Sequence, residues 1–301
     1  MAITAAQVKE LRERTGAGML DCKKALEANN GDIELAIDWL REKGISKAAK
    51  KSGRVAAEGL IFTLVSDDNK SGAILEFNSE TDFVAKNDDF VNFGKKVIEI
   101  ALKESVETVE ELKAVTVDGK TVETMLTELI AKIGENMNIR RFTKLHASND
   151  GLVVDYLHMG GKIGVLVNSK GEVNSENIEK LRGVAMHIAA MDPKFLDKSL
   201  VTPEDLEREE HVLRTQFEEE MKQTGKNLKP EVVENIIQGK LRKYYEENCL
   251  NQQKYVRDDK KVEDFLKPMT LVEFIRFKVG DGIEKKEEDF AAEVAAQIAG
   301  K

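Results

Sequence analysis

Proline, cysteine and tryptophan are scarce in this chain of 301 residues, which contains 4, 2 and 1 of them. The low proline content argues against long extended linkers and favours a helix-rich chain. Cys22 and Cys249 are too few for a disulfide framework and lack the spacing of a metal site, as expected in a reducing compartment. No apolar run approaches the ~20 residues of a membrane helix, and the N-terminus lacks the apolar stretch of a signal peptide. These absences predict a cytoplasmic protein without a membrane partner.

Net positive charge is lacking as well, since 46 basic residues stand against 55 acidic ones, a net charge of −9. A protein that binds duplex nucleic acid needs a basic face, so we expect no direct nucleic-acid partner. The charge is uneven, because residues 1–54 have 11 basic and 8 acidic side chains, a net +3, which leaves −12 for the remainder. This asymmetry either steers docking on an acidic partner or reflects a solvated basic linker at 45–55.

The motifs of common enzymes and nucleotide-binding proteins are missing too. The chain has no GxxxxGK[ST] loop, no GxSxG elbow, no HExxH pair and no CxxC pair. Isolated histidines are usually surface or capping groups, and no ligand cluster is indicated by the spacing of His146, His158, His187 and His211. We therefore expect no catalytic residue, no metal site, no cofactor and no enzyme activity, but a protein that works by binding.

The first feature that the sequence does contain is a compact unit of three helices in residues 1–53. Thr4 and Gln7 predict a capping box ahead of the first helix. Asp32 is placed to cap the third helix, which is expected to end at Gly44 ahead of the basic linker. Short helices joined by tight loops resemble a ubiquitin-associated-type domain, a kind of unit that mostly binds other proteins.

An internal repeat shapes the middle of the chain. Residues 59–75 align without gaps on residues 151–167, at a constant offset of 92. The identical pairs are Gly59/Gly151, Leu60/Leu152, Lys70/Lys162 and Gly72/Gly164. Each copy predicts a β-hairpin followed by a helix, near Asp88–Lys103 and Glu176–Met191. Because a single hairpin is marginal in water, each copy needs helices packed on one face.

The predicted fold class is α+β, with two related hairpin-plus-helix subdomains. The expected parts are a three-helix ubiquitin-associated-like domain (1–53), a first core subdomain (54–147), a second core subdomain (148–200 and 251–280), an antiparallel helical hairpin (201–250) and a C-terminal helical module (281–301). The inserted hairpin is predicted from two apolar stripes on either side of a turn at Gly225–Pro230. A strand at Thr270–Val279 is expected to join the second subdomain, and an Ala-rich helix at Asp289–Ala299 to end the chain.

The segment Ser79–Lys86 (SETDFVAK) sets a carboxylate beside a large aromatic, between a strand and a helix. The second copy of the repeat has GEVN in roughly this region, without an aromatic. A function confined to one copy explains this difference. A structural role also explains it, in which Thr81 or Asp82 caps a turn and Phe83 packs the turn onto the core. Physical reasoning alone favours the structural role.

Two segments resemble the signatures of the bacterial elongation factor Ts family. Residues 11–26 (LRERTGAGMLDCKKAL) are similar to its N-terminal signature. Residues 76–86 (EFNSETDFVAK) are similar to its second signature, with Phe77 where an aliphatic residue is expected. KIGENMNIRR at 132–141 and the stretch 274–296 match the family as well. The resemblance therefore covers essentially the whole chain in the same order.

The resemblance implies a guanine-nucleotide exchange factor for elongation factor Tu, the GTPase that carries aminoacyl-tRNA. Such a factor binds Tu–GDP, releases GDP and lets GTP enter. The segment expected to intrude near the Mg²⁺ site of Tu is Thr81, Asp82, Phe83 and Val84. Further contacts with Tu are expected at a loop formed by Met19 and Leu20, at Lys23, at His158 on the second hairpin tip, and at the C-terminal helix. Self-association of the chain stays open.

Two other classes of function remain open at this point. A helical adaptor would tether two partners without affecting nucleotide release. An acid–base enzyme would use Asp82, but it would need a second functional group converging on that carboxylate, and the sequence names none. Because a P-loop is lacking, we expect the chain itself not to bind guanine nucleotide.

Overall fold

The computed structural model describes residues 3–225 and 228–284. The chain divides into two units: residues up to 62, 75–143 and from 278 onward form the first, and residues 63–74 with 144–277 form the second. The described residues contain ten α-helices and eight strands, gathered into small sheets. This mixture confirms the predicted α+β class.

Three helices open the first unit. They are α1 (Ala5–Thr15), α2 (Met19–Ala28) and α3 (Ile33–Lys51). The predicted capping box is present, because the Gln7 N–H donates to Thr4 Oγ1 while the Thr4 N–H donates to the Gln7 carboxamide oxygen. Asp32 caps α3 as predicted, by accepting from the Leu35 N–H. A small apolar core lies between the helices and consists of Val8, Leu11, Cys22, Ala25, Leu26 and Ala36.

The next part of the chain surrounds a three-stranded sheet with the order β1–β2–β5. Its elements are β1 (Glu58–Val65), β2 (Ser71–Ser79), α4 (Asp88–Lys103), α5 (Val109–Ala114), β3 (Thr116–Val117), β4 (Lys120–Thr121), α6 (Val122–Ile133) and β5 (Met137–His146). The first predicted hairpin and its helix are thus confirmed. In α4, a Cβ added at Gly94 would lie 2.2 Å from Cζ of Phe62, so the glycine lets this ring pack directly on the helix backbone.

Helix α3 is longer than the sequence predicted, because it continues through Gly44 to Lys51. The predictions of a helix end at Gly44 and of a linker beginning at residue 45 were therefore wrong. A Cβ at Gly44 would lie only 3.2 Å from Cβ of Ala131 in α6. The missing side chain allows α3 and α6 to lie close together, so this glycine is a packing residue rather than a helix terminator.

The second unit contains the second copy of the repeat. Its elements are β6 (Gly151–His158), β7 (Ile163–Lys170), α7 (Ser175–Met191), α8 (Pro203–Thr224), α9 (Pro230–Asn248), α10 (Val262–Leu266) and β8 (Thr270–Lys278). Strands β6 and β7 pair antiparallel, and the sheet order β6–β7–β8 confirms that the late strand joins this subdomain. Leu181, Ala185 and Ile188 of α7 belong to the buried core cluster that includes residues of both hairpin strands.

Helices α8 and α9 form the inserted helical hairpin. Their mutual core consists of Phe217, Ile237 and Leu241. Arg214 Nη2 links the two helices through Glu234 Oε2 at 2.7 Å. The apolar stripes predicted from the sequence therefore pack on each other.

His187 departs from the expectation that an isolated histidine lies at the surface. It belongs to α7, and its side chain is completely buried. Its Nε2 lies 2.8 Å from the Gln253 carboxamide oxygen, and its Nδ1 accepts from the Val256 N–H at 3.3 Å. Burial lowers the pKa of His187 below the ordinary 6.5, although the hydrogen bond with Gln253 opposes this shift. The side chain is a structural group in its neutral form.

Two predictions concern the chain's end and its relation to membranes. The Ala-rich helix expected at Asp289–Ala299, and with it most of the module at 281–301, lies outside the described residues. Among the helices described, none combines the length and apolar character needed to cross a bilayer.

Candidate partner-binding site

The site predicted around Phe83 is the connection between β2 and α4, residues 80–87. A short 3-10 turn, Val84–Lys86, occupies its second half, and Asn87 then caps α4 by accepting from the Asp89 N–H at 2.9 Å. The turn itself has no side-chain cap in the structure. The structural interpretation placed the cap at Thr81 or Asp82, whereas the N-cap residue of this 3-10 turn is Phe83, so a turn capped by Thr81 or Asp82 stays a prediction.

Phe83 projects into solvent from this turn. Its side chain is 79% exposed, whereas the following residues Val84 and Ala85 are only 8% and 3% exposed. Phe83 therefore does not pack onto the core of the free chain. Single exposed apolar side chains are common. Phe83 differs from an ordinary one because the buried Val84 and Ala85 fix the backbone directly behind it.

Lys86 contacts both Asp82 and Phe83. Its Nζ donates to Asp82 Oδ2 at 2.8 Å and lies 5.7 Å from the centroid of the Phe83 ring. Both members of the ion pair are largely solvated, and such pairs contribute at most about 1 kcal/mol. This ion pair is thus weak enough for another cation to compete with Lys86 for the Asp82 carboxylate.

The first half of the connection is held by a side chain from the loop between α6 and β5. Glu135 accepts two hydrogen bonds from Thr81: the backbone N–H reaches Oε2 at 3.0 Å, and the hydroxyl reaches Oε1 at 2.8 Å. Thr81 O also accepts from Ser79 Oγ at 2.8 Å. Sequence reasoning did not single out Glu135, although it lies in the 132–141 stretch that resembles the family. Its distance of 54 residues from Thr81 left no local pattern to reveal the pairing.

A second set of contacts joins the same loop to the end of α3. Glu80 accepts from the Asn136 N–H at 2.5 Å, and Asn136 Nδ2 donates to the Arg54 carbonyl at 2.7 Å. Lys51, the last residue of α3, donates to the Gly134 carbonyl. The three-helix domain, the 134–136 loop and the exposed turn are therefore linked by hydrogen bonds within the first unit.

A buried carboxylate, Glu76, anchors β2 just before the turn. It accepts from Arg140 Nη1 at 2.9 Å, from Arg141 Nε at 2.7 Å and from the Gly280 N–H at 2.8 Å. Burial alone would raise the pKa of Glu76. The hydrogen bonds from Gly280, Asn78 and Arg140 and the charge of Arg141 outweigh burial, so the pKa lies below its ordinary value. The strand that leads into the turn is therefore fixed by a charged network.

The predicted contacts of the N-terminal domain lie on α2. Met19 and Leu20 are 60% and 75% exposed, but they form the first turn of the helix rather than the loop expected from the sequence. Lys23 follows one turn later, where its Nζ lies 3.7 Å from Glu27 Oε1. Two large apolar side chains beside a lysine thus form an exposed patch at the start of α2.

His158 belongs to the other unit. It ends β6 opposite Ile163, and its Nδ1 lies 3.2 Å from the Tyr156 hydroxyl. Met159, at the tip of this hairpin, is largely exposed. The structure thus places Thr81–Val84, Met19, Leu20 and Lys23 in the first unit and His158 in the second.

Titratable side chains do not converge into a metal site anywhere in the part of the chain that the structure describes. Both cysteines are buried and unbridged. Burial raises the pKa of the Cys249 thiol to about 11. The thiol is therefore protonated at neutral pH and a poor nucleophile.

Comparison with known proteins identifies the family. A family model described as Elongation factor TS matches residues 80–281. A protein named Elongation factor Ts from a Nitratiruptor species is 50% identical over 310 residues, which cover 99% of this chain and 100% of that protein. Proteins of the same name from Clostridium perfringens and Clostridium kluyveri are also 50% identical, over 97% and 99% of this chain and 98% and 100% of their own lengths. Since these matches span nearly all of the sequence, the chain belongs to the elongation factor Ts family and is a translation elongation factor of protein biosynthesis.

Proposed function

We propose that this protein promotes the exchange of GDP for GTP on elongation factor Tu, and that Phe83 and Asp82 are the groups that intrude near the Mg²⁺ site of Tu. The observation that carries the proposal is a large aromatic, 79% exposed, on a turn whose backbone is fixed by buried neighbours. A side chain held out in this way is ready to enter a partner without first leaving a core. Membership of the elongation factor Ts family supports elongation factor Tu as the partner.

The physics of exchange requires no reaction on this chain. A GTPase holds GDP with a phosphate-cradling loop and a Mg²⁺ that neutralises phosphate charge. Asp82 offers a competing negative charge, and its ion pair with Lys86 is weak enough to be exchanged for a partner's cation. Phe83 fills an apolar niche and moves a switch element of the GTPase. Exchange of bound GDP for GTP makes and breaks no covalent bond, so the protein acts as an exchange factor and not as an enzyme.

The coupling between the two ligands of Tu is reciprocal. If this protein weakens GDP binding by some factor, then GDP weakens the binding of this protein by the same factor. Incoming nucleotide therefore expels the exchange factor, which is free to act again. Turnover follows from linkage alone.

Phe83, the side chain proposed to enter Tu, is called the wedge below. Docking on Tu is assigned to other surfaces of the chain. We propose that Met19, Leu20 and Lys23 bind the G domain of Tu, since they form the exposed patch of the three-helix domain. His158 supplies a further contact from its hairpin tip. Val84 is buried in the free chain, so its part is to anchor Phe83 from behind. The place of action is the cytoplasm, where Tu carries aminoacyl-tRNA.

The experiment that tests this function is the release of a fluorescent GDP analogue from purified Tu. Substoichiometric amounts of this protein should accelerate release many-fold and should turn over repeatedly when GTP is in excess. A matched control is Leu200→Ala, which truncates another exposed apolar side chain but lies in the second unit. It should accelerate release like the wild type. Binding to Tu without faster release would reject the proposal and favour a tethering adaptor.

A further inference from the structure

The contact between Glu135 and Thr81 lies outside the two groups, Asp82 and Phe83, that are proposed to act at the Mg²⁺ site, yet it holds the turn that carries Phe83. We propose that Glu135 is a positioning residue for nucleotide exchange: its carboxylate fixes Thr81, so that Phe83 meets the partner already aimed. This inference rests on the proposed function and adds to it a residue that never touches the partner's nucleotide.

The geometry of the contact is that of a two-point clamp. One carboxylate oxygen accepts from the Thr81 N–H at 3.0 Å and the other from the Thr81 hydroxyl at 2.8 Å. Two hydrogen bonds to one residue fix both its backbone and its side chain. A carboxylate acceptor makes stronger hydrogen bonds than a neutral acceptor does. The residue so fixed is two positions before Phe83.

The clamp itself stands on a supported loop. Asn136, the neighbour of Glu135, is buried and bonds to both Glu80 and the Arg54 carbonyl. Gly134, on the other side, is held by Lys51. The position of Glu135 is therefore fixed by its neighbours on both sides. It can keep Thr81 in place when Phe83 enters a GTPase.

The contact differs from a purely structural carboxylate in the same unit. Glu76 is fully buried among two arginines and a backbone N–H, so its removal would leave two partly buried arginine charges without their partner. Glu135 is only partly buried, and its two carboxylate oxygens accept from the N–H and the hydroxyl of Thr81. Its loss frees one turn and leaves no buried charge behind. What Glu135 supplies is preorganisation of an exposed segment, which lowers the ordering cost when the partner is engaged.

Three variants and a matched control test the proposal. Glu135→Ala removes both acceptors, whereas Glu135→Gln keeps a carbonyl oxygen for the Thr81 N–H and an amide that can donate to the hydroxyl. Phe83→Ala removes the wedge itself. The control is Glu111→Ala, because Glu111 accepts from the Thr108 N–H at 3.1 Å in a capping box on α5, which is similar chemistry away from the turn.

The measurements are the rate of GDP release from Tu over a range of Tu–GDP concentrations, and hydrogen exchange of the Thr81 amide in the free protein. For Glu135→Ala we expect about a tenfold lower kcat with a KM changed less than threefold, because docking surfaces are intact but the wedge must be ordered during the reaction. Glu135→Gln should recover most of the rate. Thr81 amide exchange should speed up in the alanine variant. Glu111→Ala should match the wild type in rate.

Combining Glu135→Ala with Phe83→Ala decides whether Glu135 acts through the wedge. If it does, the double variant exchanges no more slowly than Phe83→Ala alone. The proposal is overturned if the double variant shows the full tenfold further loss, if Glu135→Ala alone exchanges normally, or if the loss equals the fraction of unfolded protein. A normal rate of GDP release with Phe83→Ala would instead refute the role proposed for Phe83. A wild-type chain that leaves GDP release unchanged would refute the proposed function as a whole.

Discussion

Replacing Phe83 by alanine tests whether this side chain stabilises the core or binds a partner, because the two roles predict different losses of stability. With 79% of the side chain exposed, its truncation removes little buried area, and the free energy of unfolding should fall by only about 0.5 kcal/mol, as at an ordinary surface position. A buried phenylalanine would cost about 3–5 kcal/mol. The two cases differ by a margin that one denaturant titration resolves.

Nucleotide exchange should fall far more than stability does. Fully burying a phenylalanine side chain is worth about 1.5–3 kcal/mol. If much of this is realised only when the wedge enters Tu, its loss slows exchange by about tenfold to a hundredfold. Binding to Tu should weaken less, because Met19, Leu20 and the second hairpin still dock.

The assay pairs a urea titration with the GDP-release rate on one preparation, and Phe77→Ala serves as the control. Phe77 lies six residues earlier, is buried, and stacks on Phe90 with ring centroids 4.2 Å apart. It should lose about 3–5 kcal/mol of stability, while exchange per folded molecule stays near normal. A large stability loss in Phe83→Ala with near-normal exchange per folded molecule would refute the reasoning, because it would return Phe83 to the core.

Four further expectations follow from the same structure. The isolated chain should bind no GDP, which calorimetry would contradict by showing a stoichiometric site. Deleting residues 1–53 should weaken docking on Tu and should also lower the stability of the remainder, because α3 no longer packs on α6 at Ala131. In the full chain, Trp39, partly buried in the three-helix core, should change its fluorescence when Tu binds. Undiminished affinity of the truncated chain would make this domain dispensable. Replacing about residues 204–247 by a Gly/Ser linker should leave measurable exchange, since α8 and α9 bury their apolar stripes against each other; complete loss in a folded variant would move the active surface onto this hairpin. His187 has a pKa below 6.5 in the folded chain, so the unfolded chain takes up the proton first as the pH falls below 6.5. Stability should then decrease by up to about 1.4 kcal/mol per pH unit until the folded pKa is reached, a decrease that His187→Asn should flatten in urea titrations between pH 7.5 and 5.5.

Much of the fold was predictable because its signals are local. The capping box at Thr4 and Gln7, the cap at Asp32 and the helix at Asp88–Lys103 each depend on residues within a few positions of one another. The repeat was visible for a similar reason, since alignment needs only the order of residues. Such patterns survive without knowledge of what packs against them.

The errors came from residues whose role is set by distant parts of the chain. From the sequence alone, Gly44 resembles a helix terminator. The structure shows that Ala131, 87 positions away, packs where a side chain at residue 44 would lie. His187 resembles a surface histidine until the 249–262 segment is seen to cover it with Gln253 and Val256. Glu135 carries no local signal at all. In each case the partner is non-local, so no window of sequence contains the reason.

The two copies of the repeat differ in the length of the connection between the second hairpin strand and the following helix, and the proposed wedge lies in the longer connection. In the second copy, β7 ends at Lys170 and α7 begins at Ser175, so that only residues 171–174 connect them. In the first copy, residues 80–87 connect β2 to α4, which is twice that length. A four-residue connection can only turn the chain from strand to helix, whereas eight residues leave room for a 3-10 turn that projects a side chain. Loops that a rigid scaffold positions are where binding residues concentrate. The scaffold of hairpin and helix is thus common to both copies, and the length of one connection, held by Glu135, is what distinguishes the copy that carries Phe83.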